Sequence, residues 1–404
     1  MSDEHSRGYY GWFVVGGLFV ILTITSGLAF YNMSVYMRAL VEAQGFPVSR
    51  VSAAIAAFFV ASGLGGVVAG RLLTAFDPRL TLVLGGVLGA GSLYLVGRVD
   101  ALWQLFAVYL FFGVGHACCA LVPSTTLVTR WFQARRSVAL SIASTGLSLG
   151  GILITPASAT YIERVGLAAA SELFALIWLI GVVPVALLVV RQPPAAPAAE
   201  GEAAAAVDGW RYDHAVRSRW FLAITGGWVL VMLAQVGAIS HLFNLASVRA
   251  SPATGATVVS LMASASILGR FAGGWLITRI DARRFALACM VGQCISLSTF
   301  AGVQGDVGLW LAALAFGATV GNLLMLQPLL LAELFGGRDY SRIYGLSQLL
   351  STLGVAAGPA LLGLLFDVNG RYLEAFGLAA GASAIALVAM LIAGPFPTAA
   401  PDES

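Results

Sequence analysis

The sequence predicts an all-α membrane protein with twelve transmembrane helices in two pseudo-symmetric six-helix bundles. Three observations support this: a composition too apolar for a water-soluble core, a succession of apolar runs of spanning length, and an internal repeat. Of 404 residues, 59% are hydrophobic and 10% charged, against about 25% charged in a soluble domain. So few charges do not cover a core of this size in water, and lipid is the solvent that suits it. The net charge of +3 is too small to point to nucleic acid. All 22 basic residues are arginine, which removes lysine from every mechanism.

A spanning helix needs about 20 largely apolar residues. Candidate spans run over 12–38, 50–75, 80–98, 101–129, 137–163 and 169–190, then 220–247, 254–278, 284–304, 307–333, 340–366 and 372–394. Between the two sets lies the one long hydrophilic stretch, Arg191 to Arg219. It holds Pro193, Pro194 and Pro197, an Ala/Glu tract and a charged segment, the composition of an inter-domain linker. The domain plan is an N-terminal bundle over 1–190, a cytoplasmic linker over 191–219 and a C-terminal bundle over 220–404. The first apolar run has no small-residue cleavage site after it and is expected to be retained as a helix. With the N-terminus inside, fifteen arginines fall on cytoplasmic ends and loops and six on the opposite side. The positive-inside rule then places both termini in the cytoplasm, with the chain multi-pass in the plasma (bacterial inner) membrane.

The halves repeat. At a constant offset of 204, residues 62–79 and 266–283 match at eight of eighteen positions, among them Gly70/Gly274, Asp77/Asp281 and Arg79/Arg283. At an offset of 203, Leu127, Phe132, Arg135, Ser144, Leu147, Ser148, Gly151 and Pro156 pair with Leu330, Phe335, Arg338, Ser347, Leu350, Ser351, Gly354 and Pro359. Parallel repeats of six helices are the architecture of one class of secondary transporter. The glycines alone are weaker evidence, since small residues also let membrane helices approach closely.

Here the motifs become specific. The stretch from Gly70 to Arg79, echoed by Gly274 to Arg284, resembles the loop signature of the major facilitator superfamily between helices 2 and 3 and between 8 and 9. Thr74 and Thr278 stand where that signature has an acidic residue. Gly8-Tyr9-Tyr10-Gly11-Trp12 resembles the start of helix 1 in the monocarboxylate and oxalate–formate transporter branch. So does Trp131-Phe132-Gln133-Ala134-Arg135-Arg136, continuing through Ala139, Ala143, Gly146, Gly150 and Gly151, resemble its helix 4–5 signature. The resemblance implies the superfamily fold and alternating access by rocking of the two bundles. It also implies conformational-switch loops at Gly70, Asp77, Arg79, Gly274, Asp281, Arg283, Arg135 and Arg136.

Among chemistry-bearing residues Arg270 stands out. It lies inside the eighth span, with Ser266 one turn before and Gly274 one turn after. An arginine at that depth costs about 2.5–3.5 kcal/mol on insertion scales. In the first repeat its place is taken by Gly66, so no symmetric structural need accounts for it. A guanidinium there suits bidentate grip of a carboxylate; the rival reading is a permanent ion pair to another helix. The resembled branch places a substrate-binding arginine on this helix. His116 in span 4 and His241 in span 7, with Asn244 one turn on, are proton-coupling candidates, because histidine titrates near physiological pH. His116, Tyr31, Asn32 and Asn322 are further candidate substrate contacts; the alternative is interhelical hydrogen bonding. Glu163, Glu172, Asp306, Glu333, Asp339 and Glu374 sit at span ends and read as caps or loop ion pairs. Tyr9, Tyr10, Trp12, Trp210 and Trp220 are expected in the interfacial aromatic belt. Cys118, Cys119, Cys289 and Cys294 lie in apolar runs without metal spacing and read as packing residues.

The branch pattern is departed from in places. Its span-1 lysine aligns with Asn32, the aspartate before its span-8 arginine with Ser266, and a tyrosine three residues before the span-4 proline with Ala120. Its span-11 lysine is absent. The expectation is a transporter of small organic monocarboxylates, proton-coupled, with organic-anion exchange or drug efflux as alternatives. Its partners are a carboxylate, protons and the lipid bilayer, with no nucleic acid, no cofactor and no metal, and it is a monomer. No nucleophile–base pair or phosphate loop supports an enzyme.

Overall fold

In lipid every backbone N–H and C=O needs an internal partner, so apolar runs of this length fold as helices. The computed structural model describes the backbone of residues 2–132, 136–192, 209–277, 279–336 and 339–397. Gln133, Ala134, Arg135, Thr278, Arg338, Pro193, Pro194 and Pro197 lie outside the described residues, as do the side chains of Tyr9, Thr74 and Arg136. The elements are α1 (Ser2–Thr25), a π-helical segment (Ser26–Tyr31), α2 (Met33–Gln44), α3 (Val48–Ala75), α4 (Pro78–Val96), α5 (Leu102–Cys119), α6 (Leu121–Trp131) and α7 (Arg136–Leu188). After them come α8 (Tyr212–Arg217), α9 (Arg219–Arg249), α10 (Pro252–Ile277), α11 (Ala282–Gly302), α12 (Asp306–Phe335), α13 (Tyr340–Asn369) and α14 (Leu373–Ile392).

Eleven helical stretches among the described residues are long and apolar enough to cross a membrane. The longest, Ile142–Leu188 within α7, has 47 residues. At about 1.5 Å per residue it is long enough to cross a hydrocarbon layer of about 30 Å twice. It is broken at Gly166, whose φ of 79° and ψ of 165° only glycine adopts at low cost. Crossings five and six therefore meet at Gly166, and the twelve expected spans are all present.

Two other crossings are interrupted. In the first, the π-helical segment closes with the Asn32 N–H donating to the Gly27 carbonyl at 3.1 Å. The Ser26 hydroxyl meanwhile leaves its own helix to donate to the Leu147 carbonyl of α7 at 2.6 Å. In the fourth, α5 and α6 are separated by Ala120, with φ −89° and ψ −138°. Pro123 explains the break: its ring clashes with the carbonyl four residues earlier, at Cys119.

By backbone proximity the described chain falls into two units. The first holds the N-terminal helices up to the linker together with Ile239–Ser264, and the second holds the residues from the linker to Ala238 together with those from Ala265 onward. In the first unit a line of rings, Phe30, Phe59, Phe58, Phe112 and Trp178, runs with neighbouring centroids 5.2–5.8 Å apart. Its helices close on glycine: a Cβ at Gly146, Gly150 or Gly113 would meet backbone of α1 or α3. Those first two are glycines of the helix 4–5 signature, and they form the seam against α1.

The second unit has its core around Phe221, Trp228, Met290, Leu323, Phe335 and Met390. A polar cluster is buried within it. Gln327 donates to Ser347 and Ser351 at 2.9 Å each, and Ser347 pairs with Thr225 at 2.8 Å. Trp210 joins this core with 7% of its surface exposed. Its N–H donates to Phe335 at 2.9 Å, and the next turn is held where the Tyr212 N–H meets the Asp339 carboxylate at 2.8 Å. These bonds draw the end of the linker onto the α12–α13 corner.

The repeat carries matching devices. Asp77 caps α4 through the Arg79 N–H, and Asp281 caps α11 through the Arg284 N–H, both at 2.9 Å. Arg79 then donates to the Val190 carbonyl after α7, and Arg283 to the Met390 carbonyl of α14, each at 2.8 Å. In each unit the signature arginine ties the loop after the second crossing to the end of the sixth. Glu172 and Glu374 form ion pairs with Arg98 and Arg371, as expected for acids at span ends.

Candidate functional site

The second unit presents the membrane-depth cation. Arg270 lies on α10, about 8 Å past the helix midpoint at about 1.5 Å per residue, inside a half-thickness of about 15 Å. Its side chain is partly exposed, and Nη2 donates to the Ser266 hydroxyl one turn earlier at 3.3 Å. Facing it on α12 is Gly321, where a Cβ would stand 2.7 Å from Arg270 Cγ and 2.8 Å from Ser266 Oγ. Asn322 is turned onto α10. Its amide nitrogen donates to the Gly269 carbonyl at 2.9 Å and to the Ala318 carbonyl at 2.8 Å, and its Oδ1 lies against Gly273.

The first unit holds the other candidates. Tyr31 ends the π-helical segment, 4% exposed, with its ring edge over Gly151 and at right angles to Phe30. Asn32 is fully buried; its amide donates to the Tyr36 hydroxyl at 3.3 Å, and that hydroxyl donates to the Leu28 carbonyl at 2.9 Å. His116 is partly exposed, its Nδ1 3.1 Å from the Ser62 hydroxyl and its ring beside Phe58. His241 is fully buried, with Nε2 3.2 Å from the Ser52 hydroxyl at the start of α3. Both histidines thus bond serines on one helix, α3, ten residues apart. Gly70 and Gly274 have open space where a Cβ would stand, while Asp77, Arg79, Asp281 and Arg283 serve as the caps and ties already described. Arg135 and the Arg136 side chain lie outside the described residues.

Sequence reasoning missed the π-helical segment, the serine partners of the two histidines and Gly321. The last had a signal: Gly321 immediately precedes Asn322 and stands opposite the Ser266–Arg270 turn. The serines had none, because Ser52 and Ser62 resemble any small residue of a packed span.

Chemically the arrangement offers a fixed cation with a hydroxyl beside it on α10 and, in the first unit, two histidines on hydroxyl partners. Cys118, Cys119 and Cys289 are buried free thiols. Among the described residues no three histidine, cysteine or acidic side chains group to hold a metal.

Twelve crossings in repeated halves, with a cation at membrane depth, define a polytopic secondary transporter and not an enzyme. The chain belongs to the Major Facilitator Superfamily, whose profile matches residues 19–248 and 220–404. It is similar to bovine (Bos taurus) monocarboxylate transporter 13, at 27% identity over 410 residues, covering 99% of this chain and 94% of that one. Human (Homo sapiens) monocarboxylate transporter 11 is 26% identical over 391 residues, covering 91% of this chain and 80% of that one. Among solved structures, the nucleoside transporter NupG superposes with a TM-score of 0.74 at 12% identity, over 96% of this chain and all of that one. A bacterial homologue of the human lysosomal transporter Spinster, in an inward-facing and occupied conformation, gives 0.71 at 14%, over 95% and 97%. The structural likenesses show the fold; the named relatives support a transporter resembling the monocarboxylate branch.

Proposed function

We propose that the chain carries small organic monocarboxylates across a bacterial inner membrane by alternating access, coupled to protons, with both termini in the cytoplasm and the bundles 1–190 and 220–404 as its moving parts. The observation that carries this reading is Arg270: a partly exposed guanidinium inside the hydrocarbon depth of α10, where the other repeat has Gly66. The names of its relatives support the same substrate class. A panel of carboxylic acids and their amides, tested by thermal shift on the purified protein, is expected to give larger stabilisation from each acid than from its amide. Equal shifts from amides, or none from any acid, overturn the reading.

One cation matches one carboxylate. A dianion leaves a second charge in low dielectric, a cost of several kcal/mol per unpaired ion, and the sequence has no lysine to offset it. Monocarboxylates of three or more carbons are therefore expected to outcompete oxalate. Ala120 sits at the break between α5 and α6, where a larger side chain takes up volume beside the helix ends. Ala120→Tyr is expected to move preference towards shorter acids such as lactate in competition assays. Oxalate outcompeting every monocarboxylate rules the one-cation argument out.

Moving one anion into a negative-inside cell costs about 2.3 kcal/mol per 100 mV, and a co-transported proton removes that cost. His116 and His241 are the two candidate carriers; His116 as a residue is of intermediate burial and His241 is fully buried. Uptake into proteoliposomes is expected to rise with an inward proton gradient, and His116→Gln, alone or with His241→Gln, to flatten the response. A full pH response in both single variants and the double assigns coupling elsewhere, and strict dependence on a trans anion makes the protein an exchanger.

A further inference from the structure

Asn322 puts both ends of its amide against α10. The nitrogen reaches the carbonyl of Gly269, the residue immediately before Arg270, and Oδ1 packs on Gly273, one turn further. Asn322 is 6% exposed and the bond it makes is part-buried, so water reaches it only in part and an unmade partner is costly. The neighbouring residue, Gly321, has no side chain, and a Cβ there would press on the Ser266 carbonyl, the Ser266 hydroxyl and Arg270 Cγ. Two successive residues of α12 thus fix two different things: Asn322 the helical turn from which the arginine leaves, and Gly321 the space along which its stem lies.

We propose that Asn322 is a positioning residue for Arg270, clamping the Gly269 carbonyl so that the guanidinium is held in one orientation, with Gly321 as the seat that admits its stem. The proposal rests on Arg270 as the carboxylate-binding group, and it assigns Asn322 an indirect role in place of a contact with substrate. Bidentate recognition depends on the orientation of a planar guanidinium as well as on its charge. Loosening the clamp therefore lowers carboxylate affinity without removing the cation.

Two variants test it on the full-length protein, each checked for an unchanged melting temperature. Asn322→Leu removes both amide groups at similar volume. Gly273→Ala keeps the Asn322 amide but sets a Cβ against its Oδ1 and Cγ and beside the Phe285 ring edge, all side-chain atoms, so the amide must swing aside. The preference for a carboxylic acid over its amide is expected to fall at least tenfold in each folded variant, while affinity for the amide is unchanged. In the double variant Asn322→Leu/Arg270→Gln the loss is expected to equal that of Arg270→Gln alone, because residues acting through one group do not add. A purely packing role lowers acid and amide together, or adds to the Arg270 effect, and either result overturns the proposal.

A second readout does not depend on what Arg270 binds. The rate of Arg270 modification by phenylglyoxal, mapped by mass spectrometry, is expected to change at least threefold in both variants, with exposed Arg371 as the unchanged reference. Wild-type labelling of Arg270 in whichever variant folds overturns the positioning role. Altered labelling combined with a carboxylate preference that survives Arg270→Gln overturns the substrate reading and leaves the positioning role standing.

Discussion

Arg270→Gln is expected to leave the protein folded and to weaken its affinity for carboxylates roughly a hundredfold. Glutamine keeps the apolar stem and a donor for the Ser266 hydroxyl, so the hydrogen bond that Arg270 makes within α10 has a replacement. The charge and the second arm of the fork are lost. Truncating one partner of a desolvated charge pair costs about 2–5 kcal/mol, and about 3 kcal/mol corresponds to roughly a hundredfold in Kd. The folding term runs the other way. A mid-span arginine costs about 2.5–3.5 kcal/mol on insertion scales, which the neutral variant no longer incurs, and its melting temperature is compared with that of the wild type as the check on folding. Affinity is read by thermal shift or calorimetry on material with a monodisperse elution profile. Wild-type affinity in that material removes Arg270 from the substrate site.

The second large effect is structural. Gly150→Leu is expected to destroy the first unit, with loss of most of the monodisperse protein on fluorescence-detected size exclusion. A Cβ at Gly150 would already collide with the Ser26 hydroxyl, the Thr23 carbonyl and the Gly27 amide nitrogen. Two of these are backbone, so no rotamer change relieves the clash. Overpacking of a core costs about 1–3 kcal/mol even where side chains can shift, and here α1 and α7 must separate along a seam that the Ser26–Leu147 hydrogen bond also holds. Gly70→Ala and Gly274→Ala make the control. Gly70 lies in the last turns of α3 and Gly274 in those of α10, and a Cβ at either meets nothing within 4 Å among the described residues. Both are expected to fold at wild-type yield. An intact Gly150→Leu, or equal loss in all three variants, contradicts the seam.

Much of this fold was legible because lipid imposes its own grammar. A crossing must be about 20 apolar residues long, and repeated halves show as repeated Asp and Arg in loops. Those loop residues proved to cap and tie helices in the same way in both units, which is why they survive in both copies of the repeat. Gly146 and Gly150 were legible as a signature, although only the structure shows that they seat α1. The interruptions were half visible. Pro123 announces the break at Ala120, but nothing in Ser26–Tyr31 marks a π-helical turn. Arg270 could be found because a charge in an apolar run is conspicuous.

The orientation of neutral polar residues could not be read in the same way. Asn322 sits on a helix that is apolar over most of its length, and Asn32 at the junction between the π-helical segment and α2, so periodicity does not say which way either points. Asn32 proves to be buried under Tyr36, and Asn322 is turned onto the backbone of α10. The partners of His116 and His241 were hidden for a related reason. Ser62 and Ser52 lie 54 and 189 residues away in sequence, and a serine in a packed span carries no mark of what it bonds.

The most direct measurement is accumulation of a labelled branched monocarboxylate in proteoliposomes containing the wild-type protein or Arg270→Gln, under an inward proton gradient. Accumulation above protein-free vesicles, blocked by excess unlabelled acid but not by its amide and absent in Arg270→Gln, is the expected result. Accumulation that persists undiminished in a correctly inserted Arg270→Gln, or that the amide blocks as well as the acid, contradicts a carboxylate carrier built on that arginine.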